Sequence, residues 1–337
     1  MVAVSPCKVS CPTKFTNLQR ERRSVRIPSF SGVSAAAEAV GKIVPQTPLL
    51  RLEHDGRTIF VKAESLQPMG AFKLRGGWWR LINLTEAERE NGVVAFSSGN
   101  HAQGVAWAAR RLGIRATIVM PSDAPAKKLE NTRALGAEVL LYDRMTEDRS
   151  AIAEAIARER GATVVPPFDS AWIIEGQGSA AIEAVEQMGG EPVRIVTPCG
   201  GGGLAAGLAL ACPEADIVGV EPEGWDDMAR SLAAGELVGV GPNPPYTSCD
   251  ALQTLKPSPL TFEVLRDRNA TILTVTEAEI AAAMRTAFDR LRLVIEPGGS
   301  VALAAVLAGK VALVDGTVLI LSGGNVDAAH FATILAG

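Results

Sequence analysis

The sequence predicts an α/β protein of two lobes, each with a mostly parallel sheet flanked by helices, and three observations carry that expectation. From Gly92 onward, short apolar runs alternate with segments of helical period: VVAF, 101–112, ATIVM, 125–135, AEVLLY, 147–160 and TVV. Such alternation argues for parallel strands joined by crossover helices. After Pro166-Pro167 the pattern resumes with 171–188, VRIVT, 203–211, DIVGVE and 225–234, which reads as a second lobe. The length, 337 residues, suits one large domain or two lobes of roughly 100 to 200 residues each. The expected division is a small domain at 92–168 and a large one formed by 31–91 and 169–337.

Residues 1–30 carry Lys8, Lys14, Arg20, Arg22, Arg23 and Arg26 against the single acid Glu21, with scattered serines and no apolar core. They read as a disordered extension outside the fold. An organelle transit peptide has that composition, and a tail or an over-extended start codon accounts for it equally. Folded sequence is expected to start near Ser34, where SAAAEAVGKIV reads as a short helix ending before Pro45. Thr58 to Glu64 (TIFVKAE) reads as a strand. Phe72 to Leu84 reads as a helix on the period of Leu74, Trp78, Leu81 and Ile82. Gly235 to Pro259 is rich in Gly and Pro and reads as surface loops near the site. TILTV, a long helix over 277–292, a second over 299–309 and the strand VLILS close the chain, with no internal repeat.

Composition excludes several classes of function. Net charge is −4, which gives no attraction to nucleic acid or an anionic membrane. The longest apolar stretches, Gly200 to Pro213 and Val301 to Gly309, fall short of the roughly 20 residues that span a bilayer. The five cysteines, Cys7, Cys11, Cys199, Cys212 and Cys249, show no paired spacing and suit a reducing cytoplasm. His54, His101 and His330 are far apart and show no zinc-like spacing.

The chemistry gathers at three stretches. Lys73 lies in Gly70-Ala71-Phe72-Lys73, at the first turn of an apolar helix. Burial and a helix N-terminus both lower a lysine pKa, leaving more neutral amine to act as nucleophile and base. Ser97-Ser98-Gly99-Asn100-His101 and Gly200-Gly201-Gly202-Gly203 each read as a strand end turning into a helix N-terminus, where free backbone N–H groups bind anions. Consecutive residues without a Cβ let amides close on a phosphate, and the helix dipole after Leu204 adds to the attraction. An amine with two anion cradles is the set that pyridoxal phosphate requires: a lysine for its aldehyde, one cradle for its phosphate and one for a substrate carboxylate.

On these residues the chain resembles the fold-type II pyridoxal-phosphate enzymes, with the tryptophan synthase beta-like fold, and in particular the threonine/serine dehydratase and serine racemase group. AFKLRGG matches the lysine motif, SSGNHAQG the asparagine loop, CGGGGL the phosphate loop and LSGGN the serine that faces the pyridine nitrogen, in the family's order from about residue 30 to the C-terminus. The resemblance implies that Lys73 holds the cofactor and becomes the free base once substrate displaces it. It gives the phosphate to Gly200, Gly201, Gly202, Gly203 and Leu204, and the substrate carboxylate to the amides of Ser97 through His101. Asn100 would reach the phenolic oxygen, Phe72 would pack near the ring, and Ser322 would meet the pyridine nitrogen. Ser98 matches the acid/base that serine racemases place opposite the lysine, although dehydratases carry it too. Glu221, the carbonyl of Trp225, and Asp227 match a divalent-cation loop whose oxygen ligands suit Mg²⁺ or Ca²⁺. A homodimer is implied, and the chain is expected to lack the C-terminal regulatory domain of feedback-controlled threonine dehydratases.

The activity expected is α,β-elimination from a β-hydroxy amino acid, L-threonine or L-serine, giving ammonia and a 2-oxo acid. Serine racemase is the nearest alternative, and a non-catalytic amino-acid-binding module is one from a different class. Two departures bear on the substrate side chain. Ala71 stands where the family has serine, and Cys249-Asp250-Ala251 stands where many members have small residues and glycine. An apolar substitution there makes room for a β-substituent bulkier than methyl.

Overall fold

In the computed structural model the described residues are 26–97, 99–124 and 126–337. The first helix, α1 (Phe30–Gly41), starts four residues before Ser34 because the Ser29 hydroxyl accepts from the Gly32 amide at 3.1 Å and caps it. Arg26 packs upstream of it, its guanidinium 3.7 Å from the centre of the Trp172 ring and ion-paired to the buried Glu175 at 2.8 Å. The rest of the expected extension, residues 1–25, lies outside the described residues.

A hairpin follows. Strands β1 (Leu49–His54) and β2 (Arg57–Ala63) run antiparallel, joined by Asp55 and Gly56, both at positive φ (49° and 69°), the conformation that an Asp-Gly turn supplies. Helix α2 (Lys73–Ile82) stops two residues short of Leu84, and Thr85 opens a separate α3 (Glu86–Asn91) by a reciprocal capping box with Glu88. The alternating section then comprises β3 (Val93–Phe96), α4 (Asn100–Leu112), β4 (Ala116–Pro121), α5 (Ala126–Ala134), β5 (Glu138–Tyr142), α6 (Arg149–Arg160) and β6 (Thr163–Val164). The second comprises α7 (Ala171–Met188), β7 (Arg194–Pro198), α8 (Gly203–Ala211), β8 (Asp216–Pro222), α9 (Asp227–Ala234), α10 (Pro259–Asp267), β9 (Thr271–Val275), α11 (Glu277–Thr286), α12 (Pro297–Leu307), β10 (Thr317–Leu321) and α13 (Ala328–Ala336). The long helix expected over 277–292 is broken, since α11 gives way to a π-helical turn at Ala287–Leu291 that ends on Arg292 at φ 59°.

Two sheets result. One has six strands in the order β1-β2-β10-β7-β8-β9, parallel except for the hairpin, and the other has four parallel strands in the order β5-β4-β3-β6. Strand alternation distributes the core to both faces. On β10, Leu319 and Leu321 pack with α12, while Val318 and Ile320 pack with α7 and α8. On β3, Val93 and Ala95 face α4, while Val94 and Phe96 face α6. Among the described residues no helix is long and apolar enough to cross a membrane.

The helices that carry the site approach one another through glycines. A Cβ on Gly104 of α4 would lie 2.8 Å from the Lys73 carbonyl carbon, and one on Gly176 of α7 would lie 2.6 Å from the Gly76 Cα. Beneath this junction is a buried ionic network. Arg75 donates to Glu64 (2.7 and 2.8 Å), to Glu183 (2.7 and 2.8 Å) and to Ser179 (3.2 Å). Lys62 donates to Glu183 at 2.9 Å, to Gln187 and to the Thr47 carbonyl. Two cations face two carboxylates, so the charges balance.

Candidate active site

The carboxyl ends of strands from both sheets line one cleft, the position where parallel α/β sheets place ligands. β3 delivers Ser97, β7 delivers the glycine run, and β10 delivers Ser322. The start of α2 is stitched to the end of β10. Phe72 donates its amide to the Ser322 carbonyl at 3.1 Å, and Gly324 donates to the Gly70 carbonyl at 2.8 Å. Ala71 pairs with Gly323 in an isolated bridge. Gly70 is at φ 68°, and a Cβ there would run into Asn325, so the glycine before the lysine lets the two motifs meet.

Lys73, the first residue of α2, points its amine into the cleft, where it donates to the Pro167 carbonyl at 2.8 Å and lies 5.2 Å from the centre of the Phe72 ring. Burial lowers its pKa to about 8, so neutral amine is abundant near neutral pH. His101 lies behind it. Burial first and the Lys73 charge second push the imidazole down to about 3, so it is neutral. Its Nε2 donates to the Val165 carbonyl at 2.9 Å, leaving Nδ1 a lone pair without a partner among the described residues.

The glycine run forms a cradle at the N-terminus of α8. Gly202 is its N-cap at φ 81°, and a Cβ on Gly201 would strike the Phe168 ring. A Cβ on Gly200 would lie 3.2 Å from the Leu252 Cα and 3.3 Å from the Thr254 hydroxyl. Leu204, buried, starts the apolar body of the helix. This bare rim of amides fits a phosphate. At α4, Ser97 accepts the Gly99 amide at 3.1 Å through its hydroxyl, and Asn100 begins the helix. Asn100 donates to Glu296 at 2.6 Å and accepts from Asn325 at 2.8 Å, leaving its second amide hydrogen for a ligand. Ser98 lies outside the described residues.

The cleft also contains residues to which the sequence motifs do not point. Glu296, buried at the N-cap of α12, is pushed up to about 7 by burial and then by Asp250, against the pull of Lys128 and Asn100. Lys128 of α5 pairs with Asp250 at 2.5 Å. Arg149, Pro167 and Phe168 complete the wall. The Pro-Pro signal reads in sequence only as a boundary, and Glu296-Pro297 only as a helix start. Of the two departures, Asp250 and Ala251 line the cleft, whereas Ala71 is buried in its bridge to Gly323 and does not. Replacement of a serine there therefore adds no room for a substrate.

Glu221, Trp225 and Asp227 gather apart from the cleft, where β8 runs into α9. Glu221 accepts the amides of Met228 (3.1 Å) and Ala229 (2.9 Å), and Trp225 donates its ring N–H to the Pro245 carbonyl at 2.9 Å. Both Asp227 oxygens are buried with no partner among the described residues. Burial raises Asp227 to about 7, and burial together with the Asp227 charge raises Glu221 well above the usual carboxylate range. Two buried carboxylates with no ion-paired cation among the described residues fit a hard divalent ion with oxygen ligands. The described residues show no cluster of three or more His, Cys, Asp or Glu side chains, so carbonyl oxygens must complete such a site.

Comparison with known proteins agrees with this geometry. A family model described as "Pyridoxal-phosphate dependent enzyme" matches residues 40–323. The L-threo-3-hydroxyaspartate ammonia-lyase of Saccharomyces cerevisiae is 40% identical over 92% of this chain and 97% of its own length. The L-threonine ammonia-lyase of Thermotoga maritima is 39% identical over 82% of this chain and 69% of its own length. Among solved structures, maize serine racemase superposes with a TM-score of 0.86 at 34% identity, covering 92% of this chain and 98% of that one.

Proposed function

The chain belongs to the pyridoxal-phosphate dependent enzymes, and from that premise we propose that it is an ammonia-lyase converting a β-hydroxy amino acid to a 2-oxo acid and ammonia. One observation carries the reading: the Lys73 amine, held in a desolvated site with a pKa near 8, lines one cleft together with the N-termini of two separate helices, α4 and α8. Gly200 through Gly203, with Leu204 behind them, hold the cofactor phosphate. The amides of Ser97 through His101 hold the substrate carboxylate. Phe72 flanks the ring and Asn100 directs its free amide hydrogen to the phenolic oxygen. When bound, pyridoxal phosphate supplies the electron sink that makes the substrate α-proton removable. Ser322 offers the pyridine nitrogen a hydroxyl rather than a carboxylate, which leaves that nitrogen unprotonated and suits loss of a β-substituent.

Lys73 takes the α-proton, and the β-hydroxyl leaves with one proton as water, so that the substrate loses one hydrogen and one hydroxyl in total and Lys73 ends with no net gain. The released enamine then takes up water to give the oxo acid and ammonia, so atoms balance. Ser98 is the acid/base for the opposite face. We assign residues 92–168 to a small domain and 31–91 with 169–337 to the large one, so that the cleft lies where they meet. Cys199, Cys212 and Cys249 are buried free thiols, which supports a cytoplasmic enzyme, and the family resemblance supports a homodimer.

The test is incubation of the holoenzyme with L-threonine, L-serine and L-threo-3-hydroxyaspartate, following oxo acid and chiral composition together. Oxo acid from any of them supports the lyase. D-amino acid without oxo acid replaces it with a racemase, the reading to which the structural likeness to maize serine racemase also lends support.

Glu221, Asp227 and the Trp225 carbonyl hold Mg²⁺ or Ca²⁺ in this reading. Adding either ion to chelator-treated protein, at a hundredfold excess over its Kd, is expected to stabilise the fold by about 3 kcal/mol. Asp227→Asn removes that response. A melting temperature indifferent to chelator and to both ions would remove the assignment.

A further inference from the structure

We propose that Trp172 and Glu175, with Trp79 behind them, form a guanidinium receptor filled by the chain's own Arg26. It latches the segment preceding α1 onto the junction of α2 and α7 and so steadies the helix that begins with Lys73. The receptor lies outside the cleft, and its link to cofactor retention rests on the proposed attachment of pyridoxal phosphate to Lys73.

The site is built around a carboxylate that needs a cation. Glu175 of α7 is fully buried, and among the described residues Arg26 is its only cationic partner. Arg26 donates from Nη2 to both Glu175 oxygens (2.8 and 3.1 Å) and from Nε to Oε2 at 3.3 Å. Its guanidinium carbon lies 3.7 Å from the centre of the Trp172 ring. A planar cation that meets a carboxylate along its edge and an indole with its face uses two features that an ammonium lacks. Trp79 of α2 donates its ring N–H to Glu175 at 3.2 Å and meets Trp172 edge-on, with 5.7 Å between ring centres. Helix α1 leaves room for the carboxylate at Gly32, where a Cβ would lie 1.9 Å from Glu175 Oε1. The Arg26 side chain is 42% exposed, so the receptor opens to solvent and a small cation can enter once that side chain is removed.

The receptor bears on Lys73 through two helices. Glu175 precedes Gly176, where α7 touches Gly76 of α2, and Trp79 lies three residues beyond Gly76. Without Arg26 the carboxylate would keep only the Trp79 N–H, and a buried charge so placed is relieved by moving toward water. That movement draws α7 away from α2, whose first residue is Lys73. Composition groups Arg26 with the bases of the extension, whereas its contacts make it part of the fold.

The experiment compares full-chain wild-type holoenzyme with Arg26→Ala, Arg26→Lys and the double variant Arg26→Ala with Glu175→Gln. The readouts are melting temperature and the rate of pyridoxal phosphate release, each with and without methylguanidinium. Arg26→Ala is expected to melt lower and to release cofactor about tenfold faster, the scale of an ordinary coupling between two sites. Methylguanidinium on the order of 10 mM, a concentration set by the affinity open to so small a ligand, should restore both properties along a saturating curve. Methylammonium at equal ionic strength should not. Arg26→Lys keeps the charge without the planar fork and is expected to fall between wild type and Arg26→Ala. In the double variant methylguanidinium should have no effect. Should Arg26→Ala be isolated unfolded, refolding that succeeds only with methylguanidinium supports the receptor, and failure in both conditions overturns it. Equal rescue by methylammonium, or rescue that persists in the double variant, also overturns the receptor. Arg26→Ala identical to wild type in both readouts overturns the latch, and a lower melting temperature with unchanged cofactor release overturns its link to Lys73. If Lys73→Ala still binds the cofactor covalently, the Lys73 reading fails, and melting and rescue still judge the receptor.

Discussion

Lys73→Ala is expected to lower the elimination rate by about 10⁴-fold or more, because in the proposed mechanism one amine serves both as the attachment point of the cofactor and as the base for the α-proton. Phosphate affinity should persist, since the α8 cradle is made of backbone amides and glycines and owes nothing to Lys73. Equilibrium dialysis of pyridoxal phosphate against the variant checks this, and added methylamine should restore a small part of the rate. The pH dependence follows from the same burial. The neutral amine is the reactive form, and burial lowers Lys73 to about 8. Cofactor uptake by apoprotein should therefore rise with pH and level off above about 8, whereas an ordinary lysine would go on gaining to about 10.4. Turnover retained by Lys73→Ala would remove the lysine from the mechanism.

The parts of the fold that were legible in sequence are those where local chemistry and tertiary structure agree. The helices expected at 171–188 and 203–211 are observed with those ends, because glycine closes the first in the left-handed region and opens the second. The β1-β2 hairpin was also written in the chain, in the Asp-Gly pair between LLRLEH and RTIFVKA, but β1 carries too little alternation to stand out. Helix α10 opens on Ser258-Pro259, with the serine accepting the Thr261 amide at 3.3 Å, a capping signal submerged in a Pro-rich loop. The π-helical turn at Ala287–Leu291 has no signature in a 3.6-residue period.

Within the site, legibility followed contiguity. Lys73, the α4 amides and the glycine run are each a short motif whose residue types state their chemistry. Pro167, Phe168, Arg149 and Glu296 reach the cleft one at a time from separate elements, and single residues of common type carry no pattern until the fold brings them together. Arg75 sits inside the lysine motif yet serves the fold. Only the structure shows that it faces away from the chemistry, into the network of Glu64 and Glu183.

That network gives the largest expected effect on stability. Arg75→Met should destabilise the protein by about 3–5 kcal/mol, because it removes one of two cations from a site where Glu64, Lys62 and Arg75 are fully buried and leaves the carboxylates in excess. The sign of the pH dependence separates this cause from lost packing. Burial alone would raise the Glu64 pKa, but the Arg75 guanidinium, with help from Lys62 and Thr47, outweighs it and holds the carboxyl below its ordinary value. In wild type Glu64 therefore contributes stability that is present above the unfolded pKa of about 4.3 and is lost as pH falls through the lower folded value. Without Arg75 the uncompensated carboxylate is most costly at neutral pH and is relieved by protonation in acid. The stability gap measured by urea denaturation should thus be widest near pH 7 and narrow toward pH 4. A gap constant across that range would assign the loss to the cavity left by the side chain. Glu64→Gln in the Arg75→Met background discriminates further: removing the stranded charge should recover part of the loss if electrostatics cause it, and deepen the loss if hydrogen bonding to Thr47 and Gln67 dominates.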